Sequence, residues 1–318
     1  MGFSADDRIA TYRVERELGS TTTGVLYQAV HLVLPRRAVI KVGHAARAQT
    51  FAVQLLREAC LLEALNHPGI PHLYESGLLE DRRPWFAFEM IEGMTLSERM
   101  INGPLPSADV ATILADLAGV LEHAHKRGVV HRALRPDHVV IVARKRQHSS
   151  IAIPDWSEAR AHDATAAEMA MLPARAARPY LAPELSRGEI ADDRADVFSL
   201  GVVAYHALTG ALPRGTETNP FIPTADRCPD APRELASLID QMLSPDRFDR
   251  PTCAEIRADL EWLAEAMAIT LALEDEPSPS ASGTLRIRKP RWTPPIEPVR
   301  PDIVSGEIVI APAKTDAD

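Results

Sequence analysis

Residues 131–138, HRALRPDH, place charged and polar side chains between two apolar stretches, VV before them and VVI after them. This pattern is typical of a catalytic loop between a helix and a short strand. The loop nevertheless carries small or basic residues where acid and amide chemistry would be expected. It is therefore either an active site or what remains of one.

A lysine and a glutamate indicate a second chemistry, the binding of phosphate. Lys41 is the one charge in the apolar run AVIKV, and Glu58 lies in LLREACLLEAL. A lysine on a strand can pair with a glutamate on an adjacent helix and then hold phosphate oxygens. The alternative is a lysine that merely extends its charged end into solvent. Likewise, Gly19 and Gly24 in LGSTTTGVLY either let N–H groups cover phosphates or form an ordinary hairpin turn.

The elements that position these residues fall into two groups. Short runs broken by Gly19, Gly24 and Pro35 predict antiparallel strands over residues 12–42, and HLYESGLL and PWFAFEMI predict two more. Between them, residues 50–65 have helical spacing. The apolar face of that helix is predicted to contain Phe51, Leu55, Cys60, Leu62 and Leu65. The result is a small β-rich lobe with one helix.

Helical spacing dominates after residue 104. Pro106 and Ser107 predict the start of a helix that stops by Gly128, and further helices are expected at about 195–210, 232–243 and 252–272. The apolar segment 200–212 is interrupted by His206 and ends near a glycine, so we expect a buried core helix and no membrane span.

Composition excludes several classes of protein. The 318 residues, 46% of them hydrophobic, can bury a sizeable core. A net charge of −9 argues against a nucleic-acid partner, which would need clustered Lys and Arg. The N-terminus has no apolar stretch of a signal peptide, so we expect a cytoplasmic protein. The three cysteines have no metal-ligand spacing and are expected to be reduced: Cys60, Cys228 and Cys253.

The motifs occur in a recognisable order: the glycine turn, AVIK, the helix glutamate, HRALRPDH, PDWS, LAPE, DVFSLG and DRPT. Over about residues 10–270 this series resembles the protein kinase superfamily, in its bacterial branch of eukaryotic-type Ser/Thr kinases. The resemblance implies an α+β, bilobal fold. Its domain would span 10–272, with a β-rich N-lobe at about 10–90 and a larger helical C-lobe at about 94–272, after an N-terminal extension at 1–9.

The resemblance also implies a nucleotide site between the lobes. Lys41 would contact the α- and β-phosphates of ATP and pair with Glu58, Asp155 would hold Mg²⁺, and residues 88–93 would link the lobes. The positions implied to contact nucleotide are Gly19, Gly24, Leu26, Val39, Lys41, Glu58, Phe88, Glu89, Met90, Val140 and Asp155.

Five further residues are implied to have structural roles. Glu184 would form an ion pair with Arg250, and Asp196 would accept backbone N–H groups beneath the catalytic loop. His131 and Arg132 would belong to that loop's framework. Their presence predicts that the large lobe folds like a kinase lobe and says nothing about turnover.

The loop departs from the family pattern HRDLKPEN at the positions that do chemistry. Ala133 stands where an aspartate accepts the substrate proton, and removing such a base typically costs about 10²–10⁴ in rate. Arg135 replaces the lysine that contacts the transferred phosphate. His138 replaces an asparagine whose oxygen binds a second Mg²⁺. Ala177 stands where a threonine would bond both the aspartate and that lysine. No member of this catalytic set is intact.

The nucleotide site is altered as well. Thr21 occupies the middle glycine position of the turn, where a side chain hinders close approach of backbone to phosphate. Leu26 and Val39 replace smaller residues of the adenine roof, and Trp156 and Ser157 replace the Phe and Gly after Asp155. These changes indicate either drift within a working pocket or a pocket that binds ATP weakly or not at all.

Two functions remain open. The first is a pseudokinase, a signalling scaffold or allosteric partner that engages another protein, such as an active kinase or a signalling substrate. It would bind ATP weakly, with Mg²⁺ held through Asp155 only. The second is an active Ser/Thr kinase, or another nucleotide transferase, in which water or another carboxylate serves as the base.

The last residues, 273–318, are rich in Pro and Ser and lack sustained periodicity, so a flexible tail is expected. Within it, TLRIRKPRW at 284–292 would give an extended strand one apolar and one basic face. This segment is either a solvated linker or a docking segment for an acidic surface.

Overall fold

The structure of the chain is a computed structural model that describes residues 2–44, 48–146, 149–162, 164–166, 168, 173, 175–213 and 222–274. Met1–Leu273 form one compact unit, and Glu274–Asp318 are assigned to a second. The predicted basic segment at 284–292 lies outside the described residues.

The N-lobe is built on a six-stranded sheet in the order β1-β2-β3-β4-β6-β5, in which all neighbours are antiparallel, as predicted. Tyr12 and Val14 alternate with exposed Arg13 along β2, as expected of a strand with one solvated face. β6 is buried on both faces because α1 packs across it. The strands are β1 (Arg8–Ile9), β2 (Tyr12–Ser20), β3 (Gly24–His31), β4 (Arg37–Gly43), β5 (Leu73–Leu78) and β6 (Pro84–Glu89).

The first residues of the chain pack onto this sheet, although residues 1–9 were expected to be an extension. Arg8 and Ile9 pair with β2, and Ile9 is fully buried. Phe3 places its ring edge-on to Tyr27 at a centroid distance of 5.7 Å. These contacts cover an otherwise open sheet edge and the apolar face beside it.

The helix of the N-lobe, α1 (Ala48–Leu65), starts two residues before the predicted boundary. Leu55, Leu62 and Leu65 are buried against the sheet. Cys60 is exposed, so its prediction on the apolar face was wrong. Cys60 lies five residues beyond Leu55, and at 3.6 residues per turn this places its side chain about 140° around the helix from that of Leu55.

The C-lobe begins with a small three-stranded sheet, β10-β9-β7, and a two-stranded ladder, β11-β8, that frame the catalytic loop. Its strands are β7 (Gly93–Thr95), β8 (Val129–Val130), β9 (Val140–Arg146), β10 (Ser149–Ala152) and β11 (Arg160–Ala161). Its helices are α2 (Leu96–Met100), α3 (Ser107–His125), α4 (Pro183–Ser186), α5 (Asp193–Thr209), α6 (Thr224–Arg227), α7 (Arg233–Met242) and α8 (Cys253–Glu274).

Helix α5 is the centre of the C-lobe, as predicted from its apolar sequence. It is buried along most of its length and packs against α3 and α7. The Asp192 side chain caps its first turn, and Gly210 ends it with φ +70°, a conformation that favours glycine. None of the helices in the described part of the chain has the length and hydropathy needed to cross a bilayer.

An ion pair anchors α4 to the lobe. Arg250 donates from Nη1 and Nη2 to the two carboxylate oxygens of Glu184, at 2.7 and 2.9 Å, as the resemblance implied. Arg250 also donates to the carbonyls of Arg194, Ser244 and Pro245. The two charged side chains are almost completely buried, at 0% and 2% exposure, so neither can be solvated if its partner is lost.

Replacing Arg250 with Met should therefore lower the free energy of unfolding by about 3–5 kcal/mol, because Glu184 would keep a buried charge with no partner. Urea denaturation followed by circular dichroism measures the loss. Arg187→Met is the matched control, since the pair Arg187–Glu189 is exposed and its removal should have almost no effect. Equal losses in the two variants would contradict the argument.

A histidine pair links the loop after α1 to α3. The rings of His67 and His123 lie 4.7 Å apart, and His67 Nδ1 accepts the N–H of Gly69 at 3.0 Å. Burial, reinforced by His123 and nearby arginines, lowers the pKa of His67 to about 4. The folded protein therefore binds fewer protons here than the unfolded chain between about pH 4 and 6.5, the ordinary pKa of histidine.

The contribution of His67 to stability should consequently be lost as the pH falls from about 6.5 towards 4, because at this position the unfolded chain takes up the proton first. His67→Gln cannot titrate and should make the loss between pH 7 and 5 smaller. Urea midpoints at several pH values test this, with exposed His72→Gln as the control. An unchanged pH dependence in His67→Gln would show that this pair does not contribute.

Candidate nucleotide site and catalytic loop

A cleft of about 350 Å³ lies between the two lobes, where the resemblance places a nucleotide. Nine of the eleven implied positions line it: Leu26, Val39, Lys41, Glu58, Phe88, Glu89, Met90, Val140 and Asp155. Gly19 and Gly24 are not among the lining residues. The cleft is also lined by Leu18, Thr21, Ile91, Asp137, His138 and Pro154. Of these, Leu18, Ile91 and Pro154 lie within quoted motifs but had not been assigned a contact with nucleotide.

The two glycines of the β2–β3 turn have different local roles. Gly19 has φ +154°, and an added Cβ would meet nothing within 4 Å. A Cβ at Gly24 would lie 2.4 Å from the carbonyl oxygen of Val42. Gly24 is therefore needed for close packing of β3 on β4, a role independent of phosphate.

Thr21 forms hydrogen bonds with Gly24 within the turn. Its backbone N–H donates to the Gly24 carbonyl at 2.7 Å, and its Oγ1 accepts the Gly24 N–H at 3.2 Å. The ring of His44 contacts the Thr21 carbonyl, with Nε2 at 2.8 Å, and ties the turn to the end of β4. Two N–H groups that a phosphate could use are thus already bonded within the turn.

Lys41 and Glu58 form the implied ion pair, with Nζ 2.7 Å from Oε2 and side-chain exposures of only 2% and 3%. Strand β4 and helix α1 present the two groups from opposite sides of the N-lobe core. Burial raises the pKa of Glu58 to about 7 despite the ammonium group beside it. The pair places an ammonium group and a carboxyl group within hydrogen-bonding distance at the back of the cleft.

Asp155 lies across the cleft from this pair. Its Oδ1 accepts the N–H of Ser157 at 3.0 Å, and its backbone carbonyl accepts Nε2–H of His131 at 2.9 Å. Burial opposes ionisation, but His138, Lys41 and the Ser157 N–H hold the pKa of Asp155 below its ordinary value. Its carboxylate is therefore charged and faces the cleft with Oδ2.

The residues that depart from the family pattern contact each other at the floor of the cleft. Arg135 donates from Nε to His138 Nε2 at 2.9 Å and from Nη1 to Asp137 at 3.1 Å. His138 Nε2 lies 3.2 Å from Asp155 Oδ2. Burial lowers the pKa of His138 to about 4, so its imidazole is neutral near pH 7. Arg135 is thus engaged by its own loop.

The kinase fold implies a pair of Mg²⁺ ions, and these residues do not match what such a pair needs. Asp155 supplies oxygen donors, but its neighbour His138 supplies a nitrogen where the family pattern has an amide oxygen. Mg²⁺ is a hard ion that prefers six oxygen ligands in near-octahedral geometry. Only half of the expected donor set is therefore suited to Mg²⁺.

Ala133 and Ala177 meet in an apolar cluster, as the paired substitution suggested. Both are nearly fully buried, at 3% and 2% exposure. The cluster consists of Val130, Ala133, Ala177, Leu181, Ala182, Leu185, Ala191 and Ala195. Methyl groups and aliphatic side chains fill the place where the family has a carboxylate and a hydroxyl. Asp137, the nearest acid of the loop, is half exposed and paired with Arg135.

The framework of the loop is complete. Asp196 accepts the backbone N–H groups of His131 and Arg132, each at 2.7 Å, and also bonds His125 Nε2 at 2.9 Å. Burial opposes protonation of His125, but the carboxylate of Asp196 outweighs this and raises the pKa of His125 to about 11. Trp156 is fully buried, with its ring centroid 4.7 Å from that of His131 in an edge-to-face arrangement, so the larger aromatic is accommodated inside the core.

One contact near the site was missed. Arg57 on α1 donates to Glu168 at 2.8 Å and so joins α1 to the segment after β11. The two residues are 111 positions apart in the chain, and neither belongs to a motif. No local pattern could have paired them.

Comparison with known proteins agrees with the geometry. The chain is 31% identical over 276 residues to the serine/threonine-protein kinase PknB of Mycolicibacterium smegmatis, covering 81% of this chain and 43% of PknB. It is 31% identical over 285 residues to PknL of Mycobacterium tuberculosis, covering 88% of this chain and 69% of PknL. It thus spans less than half of PknB and about two thirds of PknL.

Solved structures show the same fold. The crystal structure of the PknI kinase domain of Mycobacterium tuberculosis aligns with a TM-score of 0.63 and 27% identity, over 82% of this chain and 99% of that domain. Residues 12–263 match the family described as the protein kinase domain. The bilobal α+β architecture, the ordered motifs and these similarities establish that the chain belongs to the protein kinase family.

Proposed function

We propose that this protein is a catalytically impaired member of its family, a pseudokinase that acts by engaging another protein. The observation that carries the proposal is the apolar environment of Ala133 and Ala177. A phosphate acceptor hydroxyl must lose its proton, and a positioned base contributes about 10²–10⁴ to the rate of such a step. Neither alanine side chain can accept a proton, and the cluster around them is built from apolar side chains.

The arrangement of Arg135 gives a second line of support. In the family pattern the residue at this position contacts the transferred phosphate. Here Nε and Nη1 are bonded to His138 and Asp137, so a phosphate would have to replace both contacts.

An active kinase that uses a different base is the competing proposal, and Asp137 is its nearest candidate. Asp137 is disfavoured because its carboxylate is half exposed and already paired with Arg135.

Nucleotide binding, in this proposal, is retained but weak. The buried pair Lys41–Glu58 and the charged Asp155 favour contact with phosphates. The self-bonded turn at Thr21 and the imidazole of His138 oppose it, because both would have to rearrange. Mg²⁺ would be held through Asp155 only, and would therefore add little affinity.

The proposed partner is a protein, either an active kinase or a signalling substrate. Support comes from the intact framework at Glu184, Arg250 and Asp196, which maintains a kinase-like surface without requiring turnover. The relatives PknB and PknL are serine/threonine-protein kinases, so a protein surface is also the class of partner that this fold is used to recognise.

Weak nucleotide binding predicts a small thermal response. When binding is so weak that the ATP concentration does not exceed Kd, the stabilisation is at most about 0.4 kcal/mol, which raises Tm by no more than about 1–2 °C for a domain of this size. Adding Mg²⁺ should change this little. Lys41→Met should remove the response, because it deletes the ammonium group that is buried at the back of the cleft.

Each variant is compared with its own Tm without ligand, since Lys41→Met also leaves Glu58 without its partner. Lys126→Met is the control, because its side chain is 70% exposed and outside the cleft. A large rise in Tm that occurs only with Mg²⁺ would contradict this part of the proposal.

Restoring the missing base should not restore activity. Ala133→Asp would place a carboxylate in an apolar cluster, where desolvation raises its pKa and where Ala177 offers no hydrogen bond. His138 would still occupy the amide position. Residues that act as a unit give strongly non-additive effects. We therefore expect no more than a small fraction of kinase-like rates from the single variant.

The measurement is transfer of labelled phosphate from ATP to a generic basic protein. The proteins are wild type, Ala133→Asp, and the quadruple variant with Arg135→Lys, His138→Asn and Ala177→Thr, at matched folded fractions. The order of activity should be quadruple variant above single variant, with wild type at background. Robust transfer by wild type would refute the pseudokinase proposal, and full rescue by the single variant would show that only the base had been lost.

A further inference from the structure

A groove of about 370 Å³ lies between helices α7 and α8 of the C-lobe. Leu238 and Leu263, which are both 5% exposed, give it an apolar floor. The groove shares no described lining residue with the nucleotide cleft. It is therefore a separate feature of the surface, and the nucleotide site does not account for it.

Trp262 lines this groove from α8 with its side chain 59% exposed. Trp85 and Trp156, in contrast, are 4% and 0% exposed, as expected of core residues. Asp259 also lines the groove, and it precedes Trp262 by three residues, a spacing that places both side chains on one face of the helix. Trp262 thus offers an indole face to solvent beside a carboxylate.

Glu234 contributes a second carboxylate to the groove, from α7. Within the part of the chain that the structure describes, neither Glu234 nor Asp259 has an ion-pair or hydrogen-bonding partner. Other exposed carboxylates of the C-lobe do have arginine partners, as Glu189 and Glu261 show. Arg233 also lines the groove, but two carboxylates against one guanidinium leave the lining with an excess of negative charge.

An aromatic face, unpaired carboxylates and an apolar floor together match the chemistry of an arginine side chain. A guanidinium group stacks on an indole face and is attracted by its electron density. It also donates several N–H groups to carboxylates in a fixed planar geometry, which the compact ammonium group of lysine cannot do. The methylene stem of arginine can lie along apolar surface. The net charge of −9 further favours a cationic partner at longer range.

We propose that the groove between α7 and α8 is a docking site for an arginine-bearing segment of a partner protein, with a guanidinium group stacked on Trp262 and bonded to Asp259 or Glu234. Ser237 and Gln241 follow Glu234 along the same face of α7 and offer hydroxyl and amide groups to the backbone of that segment. Tryptophan and arginine are also enriched among the residues that dominate protein interfaces. The inference rests on the proposed function in one respect, that this protein engages another protein.

The test uses the full chain and a synthetic probe, the peptide acetyl-Leu-Arg-Leu-Arg-Leu-amide with a fluorescent label. A citrulline peptide, in which citrulline replaces both arginines, has nearly the same shape but no charge, and a lysine peptide keeps the charge alone. We expect the arginine peptide to bind at least about fivefold more tightly than the citrulline peptide, since the latter loses the cation–aromatic contact and the ion pairs. The lysine peptide should bind more weakly than the arginine peptide. Fluorescence anisotropy gives the dissociation constants.

Replacing Trp262 tests the aromatic contact. Trp262→Leu should weaken binding of the arginine peptide by about twofold to fivefold, the range for a cation–aromatic contact at an exposed site. Trp262→Phe should lose less, because it keeps a ring. The indole N–H signal of Trp262 in a proton–nitrogen correlation NMR spectrum, identified by its loss in Trp262→Phe, should shift when the arginine peptide is added to the wild type.

Replacing both carboxylates tests the charge. The double variant Glu234→Gln, Asp259→Asn should weaken binding of the arginine peptide by about fivefold and make it less sensitive to salt. Phe248→Leu is the matched control for the aromatic variant, because Phe248 is 83% exposed and does not line the groove. Glu17→Gln with Glu63→Gln is the control for the charge variant, since both are exposed residues of the N-lobe. Circular dichroism checks the fold of every variant.

Losses confined to the groove variants would support the inference. Absence of binding by the arginine peptide would overturn it, as would equal affinities for the arginine peptide and either of the other two. An unshifted Trp262 signal, or equal losses in the groove and control variants, would do the same. None of these measurements involves phosphate transfer, so the pseudokinase proposal is decided separately by its own assay.

Discussion

The buried carboxylate of Asp196 holds the catalytic loop in its shape. Three groups converge on it: the N–H groups of His131 and Arg132, and the imidazole of His125. Arg132 has φ +68°, a left-handed conformation that costs a non-glycine residue about 1–2 kcal/mol. The bond from its N–H to Asp196 offsets this strain. Helix α5, buried within the C-lobe, carries the carboxylate, so the core of the lobe determines the path of the loop.

This dependence explains why the framework is complete while the chemistry is altered. Asp196, Glu184 and Arg250 are buried charges, and loss of one partner would leave the other desolvated and unpaired. These three residues are therefore required for folding itself. Ala133 carries no such constraint, because an alanine packs well in the apolar cluster around it. A kinase fold can thus keep its shape after the residues that transfer phosphate have been replaced.

The altered residues bond to each other in place of a ligand. Thr21 satisfies the N–H of Gly24, and Arg135 satisfies His138. Each such contact would have to break before a phosphate could take its place, and the proposal of weak nucleotide binding depends on this cost. The imidazole of His138, which stands beside Asp155 in place of an amide, is part of the same argument.

The family resemblance carried by the ordered motifs implied the bilobal fold and the pairs Lys41–Glu58 and Glu184–Arg250, and the structure contains them. The helix predicted at 232–243 is found at Arg233–Met242, because its apolar residues repeat with the period of a helix facing the core. Cys60 was misplaced because an apolar residue type does not fix the direction of a side chain. The pairing of Arg8–Ile9 with β2 was also missed, since two residues are too few for a periodic signal.

The sequence by itself determined which chemical groups are present: no base at Ala133, an imidazole at His138 and a side chain at Thr21. Only the tertiary structure decided how these groups are used. The contact of Arg135 with His138 depends on side-chain torsions, and that of Arg57 with Glu168 joins residues 111 positions apart. The second contact forms where segments distant in the sequence meet, and the first depends on what the rest of the cleft places around the loop. Their geometry follows from packing of the whole domain, which no local pattern of residues contains.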